Sequence, residues 1–584
     1  MKRVVISSLC LSLSLLLLVG CAKEPPPPEA ELGQNPSGAV TDPFVKETET
    51  LFDEQDFAEE YDEEGSVRIT LTGTGATSSS DSVRIEKGRI ILTEEATYLI
   101  EGVLDDGMIV VDAKKSAQLR LILRGASITS STSAALYVKS AKKVIVTLAD
   151  GSENLLRGGE SFVAIDDNHI DGALFAKSDL TLNGTGSLRV ESPAGHGIVA
   201  KDELSVTGGN YTVETLGHGI DVNDRLRIEG ATLSLKTGKD GLHAENTDDK
   251  SLGSIYIGSG SFSVESTGDG ISASATVELK EGSFSLLTGG GSANAQKEHT
   301  DFQGGMKPPG MRATSSSNED TVSAKGIKAE GGILIEGGSY TVDSADDGLH
   351  SGTGVTVRGG AMTVKTGDDG IHADESLQIE NGTIEITDSY EGLEAVNVLV
   401  AGGEIRMICR DDGINAAGGR DGSGGEPSFG GGPSKPGFGG SSSKGSVTVS
   451  GGTVYIRSSG DGIDANGTLS ITGGAVTICG PVTGDTATLD FDVSGTIGGG
   501  TFIGTGSSFM AQTFSQASQG VISLNVGKRE AGTKVTLTDK TGAVILTHTP
   551  ELPFEVVILS SPDMTKGESY TISIGDLSDT VVAE

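Results

Sequence analysis

Two short clusters hold the residue types best able to do chemistry. "DDGLH" at 346–350 and "DDGIH" at 368–372 each set two adjacent carboxylates before a glycine, then an aliphatic residue and a histidine. They lie 22 residues apart. "DDGIN" at 411–415 repeats the theme 43 residues further on, and "DGID" at 461–464 keeps part of it. Hard oxygen donors of this kind suit a divalent cation, and Ca²⁺ tolerates irregular many-oxygen geometry better than Mg²⁺ does. His350 and His372 sit in the same wall, but zinc would need three or four N or S ligands, and the sequence offers too few.

A repeat must position these clusters. A glycine followed mostly by Ile or Leu recurs at Gly197, Gly219, Gly241, Gly326, Gly348, Gly370, Gly392 and Gly413, and the undisturbed steps are 22 residues, with one of 21. Around each lie a short strand such as "SLQIE", a "GG" or "NG" turn, and a second strand such as "TIEIT". Turns this short cannot hold the helix of a crossover βαβ unit. About 22 residues is one coil of a parallel β-helix, which buries its inner face only against neighbouring coils, and right-handed winding is the default for parallel connections. Propeller blades, at roughly 40 residues, are too long to match. The expected fold class is therefore all-β, a right-handed parallel β-helix with a terminal β cap.

Two interior columns agree with that expectation. One runs Ile198, Ile220, Leu242, Ile271, Ile327, Leu349, Ile371, Leu393, Ile414 and Ile463; two residues later a column of mostly small residues runs from Ala200 to Ala465. Such ladders fill a core without tryptophan, which this chain lacks. The glycine pairs Gly337-Gly338, Gly359-Gly360 and Gly473-Gly474 suit corners that need positive φ.

Stacking would align the residues just before each glycine: Asp347, Asp369, Glu391, Asp412 and Asp461, with Asp346, Asp368 and Asp411 beside them. Two residues past the glycine a second column runs Asp221, His243, Ser272, Lys328, His350, His372, Glu394, Asn415 and Asp464. Bare carboxylates ~4.8 Å apart would repel by about 3 kcal/mol per pair at an effective dielectric of ~20. Bound Ca²⁺ is the expected offset. Its candidate ligands are Asp346, Asp347, Asp368, Asp369, Asp374, Glu391, Glu394, Asp411, Asp412, Asn415, Asp461 and Asp464. Turn chemistry with solvated carboxylates would explain single Asp-Gly pairs, but poorly explains "DDG" at fixed steps.

The remaining segments frame this repeat. Lys2 and Arg3 precede an apolar run that stops at "LVGC", so residues 1–20 read as a signal peptide and Cys21 as a lipidated first residue resembling a bacterial lipobox. Residues 21–64, Pro-rich and then acidic, hold too few apolar residues to fold alone and read as a tether. The β-helix is expected over 65–515, interrupted by mobile Gly/Ser/Pro-rich insertions at 289–323 and 417–444, with the cap at 516–584. Cys409 and Cys479 fall two coils apart, about 9.6 Å at ~4.8 Å per strand, and read as buried unpaired thiols. The net charge of −38 argues against nucleic acid and anionic lipid surfaces, and favours cations as partners. A monomer on the bacterial cell surface is expected.

The "DDGIHAD" turns, "DGALFAKSDLTLNGTGSLRV" from Asp171, "HGIVAKDELSVTGG" and "DGLHAENTDDKSLGSIYIGSGSFSV" resemble the bacterial secreted carbohydrate-binding β-helix family, formerly a domain of unknown function, whose members resemble pectate lyases in fold. The resemblance runs from about Ser66 to the carboxy terminus. It implies a right-handed parallel β-helix, bound calcium, and plant cell-wall polysaccharides such as polygalacturonate (pectin) or cellulose as ligand. The related pectate lyases use a "DDGxD" calcium turn with a lysine base; here His350, His372 or Asn415 replaces the last aspartate, and only Asp464 keeps it. Lys325 and Lys328 are the candidate bases if the chain is a lyase, although a surface lysine is more often a solvated charge. Calcium-dependent polysaccharide binding is the leading expectation, ahead of a pectate lyase and of a purely structural envelope protein.

Overall fold

Short strands separated by glycine turns, each with one apolar edge, dictate an all-β chain. The computed structural model describes residues 51–295, 323–416, 445–482, 484 and 486–584. The proposed signal peptide, Cys21, the tether as far as residue 50 and nearly all of both insertions lie outside these residues.

One coil shows the rule for the rest. Strands Leu349–Ser351, Gly354–Val357 and Ala361–Thr366 pair in parallel with Ile327–Ala329, Ile333–Ile335 and Ser339–Ser344 on one side. On the other side they pair in parallel with Ile371–Ile379 and Thr383–Ser389. The chain thus returns to the same place every coil and builds ladders of like strands. Along Ala361–Thr366 exposed and buried side chains alternate, the period-two pattern of a strand with one face in a core. Leu349, Ile371, Leu393, Ile414 and Ile463 form the expected interior column, none more than 1% exposed. Phe262, Phe284 and Tyr340 stack face to face with centroids 4.7 Å apart, so the few aromatic rings repeat the strand spacing inside the core.

Two kinds of glycine make the stacking possible. Gly360, the second residue of its pair, turns at φ +90°, where a side chain would be strained. Gly370, just before its strand, has ordinary φ; a Cβ there would meet the Gly392 carbonyl oxygen at 2.6 Å and Ile386 Cδ1 at 2.5 Å. That glycine is required by the next coil.

Both ends depart from the repeat. Part of the expected tether is docked: Lys143 Nζ sits 2.7 Å from Asp56 Oδ1, and Asn183 Nδ2 donates to the carbonyls of Asp56 and Ala58 at 2.9 and 3.0 Å. The acidic segment finds partners on the coils that it could not find in itself. Past strand Thr501–Gly506 the pairing turns antiparallel through Phe554–Ser560 and Val521–Arg529. A separate four-stranded antiparallel sheet packs on these strands through a second core that joins its Leu537 and Ile572 to Val557.

Candidate functional site

The wall carrying the acidic clusters consists of two neighbouring columns. The column two residues past each glycine is in register from Asp221 to Asp464: Lys328 opposes His350, His350 opposes His372, His372 opposes Glu394, Glu394 opposes Asn415, and Asn415 opposes Asp464. The ladder adds Asp490 beyond Asp464.

The column just before each glycine has a second job that its residue types alone do not reveal. Asp347 Oδ1 accepts the N–H of Asp369 at 3.2 Å, and Asp369 Oδ1 accepts that of Glu391 at 3.1 Å. Asp412 Oδ1 accepts the N–H of Asp461 at 2.6 Å, and Asp461 Oδ1 accepts that of Ala487. The same link runs upstream, from Asp240 to Asp269 and from Asp269 to Lys325, and there His196 and His218 use Nδ1 as the acceptor. A short acceptor side chain at this place satisfies a backbone donor of the next coil, a group costly to leave unpaired where water is excluded. These carboxylates are consequently buried: Asp347 is 0% exposed and Asp369 4%. The solvated-turn alternative does not describe them.

Burial leaves the second oxygen of each carboxylate in need of positive charge, and the protein meets that need differently along the wall. Around Asp346, Asp347 and Asp368 it uses Lys325, whose Nζ lies 2.8 Å from Oδ2 of both Asp346 and Asp347, while His350 Nδ1 adds a contact of 2.9 Å to Asp347. One coil on, His372 Nδ1 lies 2.7 Å from Glu394 and 3.4 Å from Asp369, and its Nε2 lies 3.5 Å from Asp374. Burial opposes the charge on Lys325 and His372, but the surrounding carboxylates outweigh it and hold both protonated. Lys325, expected to be solvated, is fully buried. Lys328 pairs with Glu330 at 3.1 Å, and its pKa is raised because Asp269 and Glu330 outweigh burial. Neither amine is poised to remove a proton.

At the far end of the wall the balance changes. Asp412, Asp461 and Asp464 bring carboxylate oxygens within 4.8 Å of one another. Among the described residues no lysine, arginine or histidine pairs with them. Burial, then Asp411, Asp461 and Asp464, pushes Asp412 up to about 8; burial and the neighbouring acids likewise push Asp461 to about 7 and Asp464 to about 6. Glu391, one coil above, is raised well beyond the ordinary carboxyl range by burial and then by Asp369, Glu394 and Asp412. Its Oε1 accepts from Asn415 Nδ2 at 2.9 Å, while Glu391 Oε2 and Asn415 Oδ1 are buried without a hydrogen-bond partner. Buried acceptor oxygens with no donor beside three crowded carboxylates form an all-oxygen donor set, and that chemistry fits Ca²⁺.

The expected ligands therefore divide. Glu391, Asp412, Asn415, Asp461 and Asp464, with Asp411 next to them, face an anionic sector; Asp346, Asp347, Asp369, Asp374 and Glu394 already face protein cations, and Asp368 is grouped with Asp346 and Asp347. The sequence reading missed Asp240, Asp269 and His218. Their place immediately before Gly241, Gly270 and Gly219 was the available signal. Cys409 and Cys479 are buried free thiols, and Cys479 Sγ rests 3.3 Å from His548 Nε2.

A family model described as "Carbohydrate-binding domain-containing protein" matches residues 86–370 and 368–533. A "Carbohydrate-binding domain-containing protein" of Acetivibrio thermocellus is 39% identical over 212 residues, 36% of this chain and 74% of the relative. A solved structure of "the polysaccharide lyase-like protein from C. thermocellum, Gadolinium derivative" is 29% identical, with a TM-score of 0.37, covering 37% of this chain and 89% of that one.

Proposed function

The chain belongs to the carbohydrate-binding domain-containing protein family, and from that premise we propose that it is an exported, calcium-dependent binder of cell-wall polysaccharide. The parallel ladders support winding as a β-helix, and the strong preference of parallel connections supports the right hand. The lipobox-like "LVGC" supports attachment of the bacterial cell-surface protein through lipid on Cys21.

One observation carries the calcium reading: Glu391 Oε2 and Asn415 Oδ1 are buried without partners, next to carboxylates that lack a described counter-ion. Asp412 and Asp461 commit Oδ1 to the backbone of the next coil, which orients Oδ2 as the free donor. Asp464, Glu391 and Asn415 would supply the other protein oxygens. Ca²⁺, when bound there, supplies positive charge that protein and ligand carboxylates can share. A strongly acidic wall could then hold an acidic polymer. This favours polygalacturonate over cellulose, because an aromatic content of 4% leaves few flat platforms for crystalline sugar faces.

Pull-down on immobilised polygalacturonate, with and without EGTA, tests the reading. Binding in calcium that is lost on chelation supports it; chelator-insensitive binding removes the bridging role, and no binding in either buffer favours an envelope spacer. A pectate lyase would need a neutral base near the sugar, whereas carboxylates hold Lys325 and Lys328 as cations. We therefore place binding ahead of cleavage. Incubating polygalacturonate with the protein and calcium should produce no ultraviolet absorbance from unsaturated uronide.

A further inference from the structure

A different donor set lies upstream on the same wall, where nitrogen replaces part of the oxygen. His218 Nδ1 lies 3.3 Å from Asp240 Oδ2, and His243 Nδ1 lies 2.8 Å from the same oxygen. The two imidazole rings stack with centroids 4.1 Å apart and planes 18° from parallel, and both turn Nδ1 towards Asp240. All three donor atoms fall within 4.8 Å of one another. An ion ~2.0 to 2.1 Å from each donor in tetrahedral array would place them roughly 3.3 Å apart, and the two imidazole nitrogens lie 3.3 and 2.8 Å from Asp240 Oδ2.

We propose that His218, Asp240 and His243 form a binding site for a borderline divalent transition ion, Zn²⁺ first, distinct from the all-oxygen sector at Asp412. This goes beyond polysaccharide binding and does not depend on it. Two imidazoles and one carboxylate match the donor preference of zinc, whereas Ca²⁺ selects oxygen alone. The ligands are held by their surroundings. Asp240 Oδ1 accepts the N–H of Asp269 at 2.8 Å, which aims Oδ2 at the histidines. Glu245 lies 3.5 Å from His243 Nε2, the carboxylate–imidazole arrangement that orients metal-binding histidines. His196 stacks on the outer face of His218 at 4.9 Å and fixes that ring. The Asp240 N–H donates to His218 Nδ1 at 3.2 Å, and an ion that takes this nitrogen must outweigh the loss of that hydrogen bond. Three protein donors leave a fourth position for water or a ligand oxygen, and side-chain exposures of 13 to 16% leave the cluster reachable from solvent.

The test is calorimetric titration of Zn²⁺ into the metal-free full chain in excess Ca²⁺. One Zn²⁺ equivalent that Ca²⁺ does not displace is expected. His218→Gln/His243→Gln should abolish it, Glu245→Gln should weaken it by about tenfold, and Asp464→Asn should leave it unchanged. An equivalent that survives the double substitution, or that Ca²⁺ competes away, overturns the proposal. Should the double variant fail to fold, Cu²⁺ electron paramagnetic resonance on the unaltered chain decides: nitrogen hyperfine coupling from two imidazoles supports the site, and its absence overturns it.

Discussion

The Nζ of Lys325 lies 2.8 Å from Oδ2 of Asp347, and neither side chain is exposed. Its coil follows the insertion that separates Gly270 from Gly326, and Ile271 and Ile327 are nonetheless ladder partners. It puts a protein cation where the coils below leave carboxylates facing one another. The wall is thus split between sectors neutralised from within and a sector that is not.

Removing that cation should be costly. In Lys325→Met, Asp347 remains fully buried without the ammonium, and breaking a buried pair from one side costs about 3 to 5 kcal/mol. Urea unfolding at neutral pH should show an unfolding free energy lower by about that amount, read as a lower midpoint at unchanged slope. Unchanged stability would mean that Lys325 does not offset the buried carboxylates.

Chelation should make stability fall with rising pH. Asp412, Asp461 and Asp464 have folded values near 8, 7 and 6, raised above an unfolded value near 3.9. The folded state therefore keeps protons that the unfolded chain releases. Its stabilisation is present below about pH 4 and is lost as pH rises through 6 to 8, each group giving up ~1.4 kcal/mol for every pH unit that separates its folded from its unfolded value. In EDTA the thermal midpoint should decline between pH 5 and pH 8, and calcium should flatten the decline. A midpoint that rises over this interval in EDTA would contradict the burial of these acids.

Much of this geometry was legible as spacing. Once the glycine steps are taken as coils, the column from Lys328 through His372 to Asp464 follows by counting, and each pair matches a ladder pair. What counting could not supply was direction. Asp369 and Glu394 look alike as acidic letters, but Asp369 turns one oxygen to the N–H of Glu391 while Glu394 meets His372. Asp269 and Lys325 become neighbours by the same counting, since Ser272 and Lys328 share a column across the insertion, but counting could not show that Asp269 accepts the Lys325 N–H. The burial of Lys325 goes against the ordinary expectation for lysine, and only the carboxylates around it explain it.

The glycine before each strand should tolerate no side chain. Gly370→Ala places a Cβ 2.6 Å from the Gly392 carbonyl oxygen and 2.5 Å from Ile386 Cδ1. Neighbouring coils must separate locally, at about 1 to 3 kcal/mol for overpacking a tight core. Alanine at Gly527, where a Cβ meets nothing within 4 Å but φ is +65°, tests backbone strain without that clash. The thermal midpoint should fall further for Gly370→Ala; equal losses would assign the requirement to conformation.

Asp464→Asn should separate charge relief from ion binding, because the two effects have opposite signs. Without calcium the substitution removes one of the anions crowding Asp412 and Asp461 and should raise the midpoint. With calcium it removes a hard oxygen donor. For an extracellular-type affinity of 10⁻⁴ to 10⁻³ M, about 10 mM Ca²⁺ should stabilise the parent by roughly 1 to 3 kcal/mol, and most of this gain should vanish in the variant. Polygalacturonate retention should fall with it. A variant that keeps the full calcium gain would place the ion elsewhere; one that loses the gain but retains the polymer would separate the ion from the glycan.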